Sequence, residues 1–141
     1  MDQKIRNLLG TTDRSRGILL AAKAAADRYG SADITPEQLI HSLYYERKGI
    51  AAHVLQWMGW TPSQCESHYA GTASRTVLDL KSSAFLAGIM TEASTEAAAL
   101  NHTHVGTEHL LMAMTKLCPE TMSDAEAVRR EVLTVLGHRP A

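Results

Sequence analysis

A nine-residue pattern typical of a helix start occurs twice in this chain. Residues 35–43 read Thr-Pro-Glu-Gln-Leu-Ile-His-Ser-Leu, and residues 106–114, which lie 71 positions later, read Gly-Thr-Glu-His-Leu-Leu-Met-Ala-Met. Both stretches carry a glutamate at the third position and apolar residues at helical intervals after it. An internal repeat decides the architecture, because each copy is one structural unit that packs against its neighbour.

The repeat continues towards the N-terminus at the same offset. The apolar matches are Ile18 with Ile89, Ala22 with Ala93, Ala26 with Ala97, and Ile34 with Val105. Thr12 falls on Ser83, so that a hydroxyl is repeated as well as the glutamate pair Glu37 and Glu108. The apolar matches are typical of a helical core. A repeated polar pair, in contrast, suggests two equivalent binding sites.

Capping signals divide the chain into about seven helices. Thr35-Pro36-Glu37-Gln38 is a capping box with proline at the first helical position, and Thr61-Pro62-Ser63-Gln64 follows the same pattern. The predicted helix starts are Thr12, Thr35, Gly49, Thr61, Ser82 or Ser83, Gly106 and Ser123. No alternating run of β-branched residues occurs, so the predicted fold class is all-α, built as a pseudo-twofold duplicated helical repeat.

We predict a single domain over residues 1–141, made of repeats at about 10–69 and 81–137. The small polar residues around 70–80 are typical of a linker between them. The second repeat is predicted to be shortened, because Cys118-Pro119-Glu120-Thr121-Met122 is too short for a third helix. With one Phe, two Trp and four Tyr, the core is expected to be aliphatic and rich in alanine.

Composition excludes several classes of function. The net charge is −1 and no basic stripe occurs, which argues against nucleic-acid binding. No run of 18 apolar residues exists, and the first residues lack the apolar stretch of a signal peptide. Cys65 and Cys118 share no motif and are expected to be free thiols. We therefore expect a cytoplasmic monomer or weak dimer with no membrane contact, no cofactor and no metal.

Two motifs carry a resemblance to a known family. His102-Thr103-His104-Val105-Gly106-Thr107-Glu108-His109-Leu110-Leu111 is similar to the loop and Gly-Thr-Glu-His-Leu-Leu helix start of the N-terminal repeat domain of Clp-type AAA+ unfoldases, closest to the ClpC kind. Lys48-Gly49-Ile50-Ala51-Ala52-His53-Val54-Leu55 resembles the family's Gly-Val-Ala-Ala-x-Val-Leu helix. The resemblance covers residues 10–137 and includes both repeats.

The resemblance implies a protein-interaction domain. In the family this domain captures adaptor proteins and substrate peptides for the Clp unfoldase and protease, and ClpC-like members recognise phosphorylated arginine through a matching site in each repeat. Carried over to this chain, Glu108 and Glu37 would bind the guanidinium group, while Thr12 and Ser83 would bind the phosphate. The same four residues also suit plain helix caps and first-turn acids. Glu108 is the better candidate, because Glu37 lacks the Gly-Thr-Glu-His context.

Other interpretations stay open at this point. No Gly-x-x-x-x-Gly-Lys-Ser/Thr loop occurs in the 141 residues, so the family's ATPase cannot be carried over and no enzyme is predicted. The sequence does not separate a free-standing chain from the N-terminal part of a longer unfoldase. A different class would be a small metal-dependent enzyme using His102, His104 and His109, although their order is not His-Glu-x-x-His. A third alternative is a ligand-binding stress module on the same fold.

Overall fold

The computed structural model describes residues 10–61 and 83–137. Within them the chain forms six α-helices, two very short strands and one 3-10 turn. In chain order these are β1 (Gly10–Thr11), α1 (Asp13–Tyr29), α2 (Pro36–Glu46), α3 (Ile50–Trp57), α4 (Ala84–Ala99), β2 (His104–Val105), α5 (Thr107–Leu117), the 3-10 turn (Pro119–Thr121) and α6 (Ala125–Val135). The prediction of an all-α fold is confirmed. The predicted helix after Thr61 and the predicted linker at residues 70–80 lie outside the described residues.

The offset of the repeat is visible in the helix starts. The first residues of α4 and α5 lie 71 positions after those of α1 and α2. Thr12 Oγ1 accepts the Ser15 amide at 3.1 Å, and Ser83 Oγ accepts the Leu86 amide at the same distance. Each of these hydroxyls therefore caps a long helix, as a residue of this type does when its backbone is extended. The repeat bounds at 69 and 81 stay a prediction, because they fall outside the described part.

The second repeat is shorter than the first at its third helix. Where the first repeat has the eight-residue α3, the second has only the 3-10 turn Pro119–Thr121. Trp60, which follows α3, is buried and donates its indole N–H to the carbonyl of Thr121 at 3.1 Å. The shortened segment of the second repeat is thus held by the first.

The two strands join the repeats near the start of α1. β1 and β2 pair in parallel, with Gly10 opposite His104 and Thr11 opposite Val105. The Thr12 amide then donates to the Val105 carbonyl at 3.0 Å. This pairing was not predicted. It places the loop before α5 beside the N-terminus of α1.

The core is aliphatic and rich in alanine, as expected. Its largest fully buried apolar side chains are Ile18, Leu39, Ile40, Leu43, Leu55, Ile89, Leu110, Leu111, Met112 and Met114. Alanines with no exposed surface, among them Ala22, Ala26, Ala93 and Ala97, lie along α1 and α4. Small residues at these positions let the helices approach one another closely. None of the helices in the described ranges is both long and apolar enough to span a bilayer.

One buried carboxylate ties together the three longer helices of the second repeat. Glu96 of α4 is only 4% exposed and receives two hydrogen bonds from Arg129 of α6, one of them with Nη2 at 2.8 Å from Oε1. Lys116 of α5 lies 3.5 Å away. Burial acts to raise the pKa of Glu96, but the hydrogen bonds and charges of Arg129 and Lys116 lower it below its ordinary value. Glu96 is therefore ionised at neutral pH.

Gly49 marks the point where the start of α3 touches the start of α5. A Cβ at this position would lie 2.6 Å from Thr107 Oγ1 and 2.8 Å from Glu46 Oε2. We expect Gly49→Ala to lower the free energy of unfolding by about 1–3 kcal/mol, because it overpacks this junction. Gly88→Ala is the matched control, since a Cβ there meets nothing within 4 Å and α4 gains helix propensity. Urea denaturation that finds the Gly49 variant as stable as the wild type would contradict this packing.

Candidate functional site

Three helices begin around one cleft. Its volume is ≈ 690 Å³, and its walls include Thr12 at the start of α1, Gly49 and Ile50 at the start of α3, and Gly106 and Thr107 at the start of α5. Each helix N-terminus presents backbone N–H groups and the positive end of a helix dipole. An arrangement of this kind favours an anion in the cleft.

Local contacts explain why these three ends meet. The β1–β2 pairing holds Gly106 close to Thr12, since β2 ends at Val105 and α5 follows immediately. Thr107 Oγ1 accepts the Ala51 amide at 3.2 Å, which joins α3 to α5. The N-cap of α3 is a glycine with no side chain of its own to cap the helix. The start of α3 is therefore supported from α5 rather than by a local cap.

Two basic side chains add positive charge to the cleft. Arg14 and Lys48 both line it. Arg14 is held by an ion pair with Glu46, whose carboxylate oxygen lies 2.6 Å from the guanidinium nitrogen. Lys48 is exposed at the rim. Because Glu46 also accepts the Gly49 amide at 2.7 Å, it orients Arg14 and the start of α3 together.

The same cleft is lined by a carboxylate that has no hydrogen-bond or ion-pair partner among the described residues. Glu108, in the first turn of α5, lines the same cleft and is half-buried. It forms no hydrogen bond or ion pair with any residue of 10–61 or 83–137. Its carboxylate folds back over Gly106, where a glycine leaves room for it. The cleft therefore offers donors for an anion and an acceptor for a cation within one volume.

The structure groups the predicted site residues across the repeats. Thr12 from the first repeat and Glu108 from the second line one cleft. Glu37 lies in the first turn of α2, where its charge, after burial and Glu120, contributes to raising the pKa of Cys118 to about 12. Neither Ser83 nor Glu37 lines the cleft of Thr12. The within-repeat pairs Thr12/Glu37 and Ser83/Glu108, which a matching site in each repeat would use, do not share this volume.

The start of α4 already holds an anion from the chain itself. Ser83 is 3% exposed, and its hydroxyl donates to one oxygen of the Asp33 carboxylate. The other oxygen of Asp33 accepts the Phe85 amide at 3.2 Å. Ser83 is thus a cap whose hydroxyl is fully used. At the start of α1 the corresponding loop residue is His104 rather than an acid, and the cleft there is open.

His102 of the loop and His109 in the first turn of α5 are joined by hydrogen bonding at the start of that helix. The Gly106 amide donates to His109 Nδ1 at 2.8 Å, and His109 Nε2 lies 2.7 Å from His102 Nδ1. Burial lowers the pKa of His109 below its ordinary value of 6.5. Among the described residues no group of three His, Cys, Asp or Glu side chains is placed to hold a metal ion. The alternative of a metal-dependent enzyme therefore has no ligand set in this part of the chain.

The fold, the duplicated helix starts and the loop before α5 define a class of all-α domain built from two helical repeats. The sequence profile described as the Clp repeat (R) N-terminal domain matches residues 11–125. The chain belongs to this family. Membership of this family is consistent with a protein-interaction role.

The curated relatives are much longer than this chain. The chaperone protein ClpB of Oceanobacillus iheyensis is 27% identical over 129 residues, which cover 89% of this chain and 15% of the relative. The negative regulator of genetic competence ClpC/MecB of Bacillus subtilis shows the same identity and coverage. The chain therefore spans about 15% of the length of these relatives.

Solved structures share the fold. The N-terminal domain of Hsp104 from Candida albicans superposes with a TM-score of 0.75 at 11% identity, covering 92% of this chain and 93% of that one. The N-terminal domain of ClpD from Arabidopsis thaliana gives a TM-score of 0.62 at 12% identity, covering 90% and 94%. At these identities the likeness extends to the fold alone.

Proposed function

We propose that this domain binds peptide segments of Clp substrates or adaptor proteins through the cleft between Thr12 and Glu108, and that a phosphorylated arginine side chain is the group it recognises. The observation that carries the proposal is a single cleft that combines three helix N-termini with a carboxylate that has no hydrogen-bond or ion-pair partner in residues 10–61 and 83–137. Phosphoarginine presents an anion and a guanidinium group a few bonds apart. Such a ligand matches both halves of the cleft.

Each half of the ligand has a physical counterpart. A phosphate at the starts of α1 and α3 would accept hydrogen bonds from backbone N–H groups and would lie close to Lys48 and Arg14. The remaining guanidinium N–H groups would donate to Glu108, in the charge-assisted geometry that carboxylates favour. Unmodified arginine lacks the anion and phosphoserine lacks the cation, so each should satisfy only half of the cleft.

We infer one such site in the chain rather than two. The N-terminus of α4, which corresponds to that of α1 by the repeat, is satisfied by Asp33. Phe85 stands there in place of Arg14, and Pro119 in place of Lys48. A phosphate at α4 would have to displace an internal carboxylate without a replacement cation. The two repeats are therefore expected to differ in binding.

Three fluorescent peptides of identical sequence test the specificity. They carry phosphoarginine, arginine or phosphoserine at one central position, and their affinities are measured by anisotropy at two salt concentrations. We expect the phosphoarginine peptide to bind at least about tenfold more tightly than either other peptide, because the loss of one charge-assisted interaction costs about 1.5–3 kcal/mol. Binding should weaken with salt, since the cleft is open to solvent. Equal affinities for all three peptides would rule out this recognition.

In a Clp unfoldase, a domain with this cleft would hold a marked substrate near the ring, and as a free chain it would compete with an unfoldase for substrates or adaptors. A pull-down from lysate with the wild-type domain and the Glu108→Gln variant tests the partner class. We expect arginine-phosphorylated proteins or Clp adaptors to be recovered by the wild type and depleted with the variant. Recovery of neither class by the wild type would argue against the proposal.

A further inference from the structure

The start of α5 is closed by a hydrogen-bonded chain through two histidines. The Gly106 amide is an obligatory donor, so His109 Nδ1 must accept its hydrogen at 2.8 Å and carry no proton. The proton of neutral His109 then lies on Nε2 and is donated to His102 Nδ1, at 2.7 Å. The order of donors and acceptors is fixed by the backbone at one end of this chain.

The first repeat contains an equivalent series of hydrogen bonds, and none of its members is titratable. The Thr35 amide donates to Gln38 Oε1 at 2.9 Å, and Gln38 Nε2 donates to Ser31 Oγ at 2.8 Å. Thr35, Gln38 and Ser31 lie 71 positions before Gly106, His109 and His102. Glutamine supplies one acceptor and one donor, as neutral histidine does, but it cannot gain a proton at physiological pH.

We propose that His109, hydrogen-bonded to His102, is a pH-sensitive switch that loosens the start of α5, and with it the walls of the Thr12–Glu108 cleft, when His109 gains a proton. A proton on His109 Nδ1 would face the Gly106 N–H. The hydrogen bond from the Gly106 amide is then lost, and two donors are left facing each other.

The consequence for the cleft follows from what the first turn of α5 carries. Thr107 accepts the Ala51 amide and so holds the start of α3, while Glu108 supplies the acceptor in the cleft. Loosening this turn therefore disturbs two of the three helix starts and the carboxylate together. The effect on binding rests on the proposed function, whereas the effect on stability does not.

The charges around His109 come from several elements. Burial and the charge of His102 lower its pKa, while Glu108 on α5 and Glu96 on α4 act to raise it, and the net shift is downward. Arg14 and Lys48 line the same cleft. Unfolded His109 takes up a proton near its ordinary value of 6.5, and the folded state takes it up only at lower pH.

The stability that neutral His109 contributes is therefore present in full above its ordinary pKa of 6.5. It is lost as the pH falls from 6.5 towards the lower pKa of the folded state. Between the unfolded and the folded pKa, the unfolding constant rises by up to about tenfold for each pH unit. Measurements between pH 7.5 and 5.5 stay above the pH at which Glu96 takes up a proton, because the pKa of Glu96 lies below its ordinary value of 4.5.

The test replaces the switch by its counterpart from the first repeat. The variant His109→Gln/His102→Ser reproduces Gln38 and Ser31, and His53→Gln is the control because His53 is an exposed residue of α3. Urea unfolding is measured at pH 7.5, 6.5 and 5.5. We expect the unfolding constant of the wild type and of the control to rise by up to about tenfold over this range, and that of the double variant to rise clearly less. The same acid dependence in all three proteins would overturn the proposal.

Amide hydrogen exchange of the wild type gives a second readout that needs no variant to fold. The protection factor of the Gly106 amide should fall as the pH is lowered from 7.5 to 5.5, while that of the Thr35 amide stays constant. Equal behaviour of the two amides would also overturn the proposal. A phosphoarginine titration at both pH values then reports the cleft. Loss of stability at low pH without any phosphoarginine binding at pH 7.5 would support the switch and reject the proposed ligand.

Discussion

Arg129→Met is expected to lower the free energy of unfolding by about 3 kcal/mol, at the lower end of the range for breaking a buried ion pair. The substitution leaves Glu96 buried and ionised, and among the described residues the cation that remains beside it is Lys116, at 3.5 Å. The lost hydrogen bonds join α4 to α6 across the second repeat. Urea denaturation at pH 7.5 measures the effect directly.

The double variant Glu96→Met/Arg129→Met is the control for this prediction. It removes the buried charge together with its partner, and replacing a buried ion pair by apolar groups is often close to neutral. We expect the double variant to recover most of the stability that Arg129→Met loses. If the single and double variants are destabilised equally, the loss comes from packing of α6 and not from the unpaired carboxylate.

Glu108→Gln is expected to weaken phosphoarginine binding by about 10–100-fold at pH 7.5. The substitution keeps the shape of the side chain but removes the charge that receives the guanidinium group, and a hydrogen bond to a charged partner contributes about 1.5–3 kcal/mol. Stability should change by less than about 1 kcal/mol, since a first-turn acid interacts only weakly with the helix dipole. Isothermal titration calorimetry measures the affinity, and thermal denaturation checks the fold.

Glu37→Gln is the matched control, because Glu37 occupies the same position in the first turn of α2 as Glu108 does in α5. We expect this variant to bind phosphoarginine as the wild type does. An equal loss in both variants would show two equivalent sites and contradict the assignment of one cleft. No loss in either variant would reduce both glutamates to first-turn acids.

Most of the helical framework could be predicted from the sequence. Caps are local chemistry, so Thr12 and Thr35 marked the starts of α1 and α2 before any tertiary contact was known. The offset of 71 residues likewise predicted α4 and α5. Strand pairs of two residues have no periodic pattern, and the β1–β2 pairing could not be read from the chain.

The composition of the site was harder to predict because it depends on contacts between the repeats. The repeat suggested pairs within one copy, whereas the fold brings Thr12 of the first copy to Glu108 of the second. The hydrogen bond between Asp33 and Ser83 joins residues that are 50 positions apart, so no local sequence pattern indicated it. The hydrogen bond from the Gly106 amide to His109 was missed, although the sequence carried a signal for it. Gln38 and His109 share a repeat position, and each accepts the amide of its helix's N-cap residue, as the third residue of a capping box does.

One cleft, formed across the repeats, is proposed to hold the ligand. A phosphoarginine titration followed by amide NMR tests it most directly. We predict saturable shifts at Ser15, Ala51 and Glu108, which lie at the starts of α1, α3 and α5, and no shift at Leu86 in the first turn of α4. Shifts centred on Leu86, or no saturable shift at the three predicted positions, would contradict it.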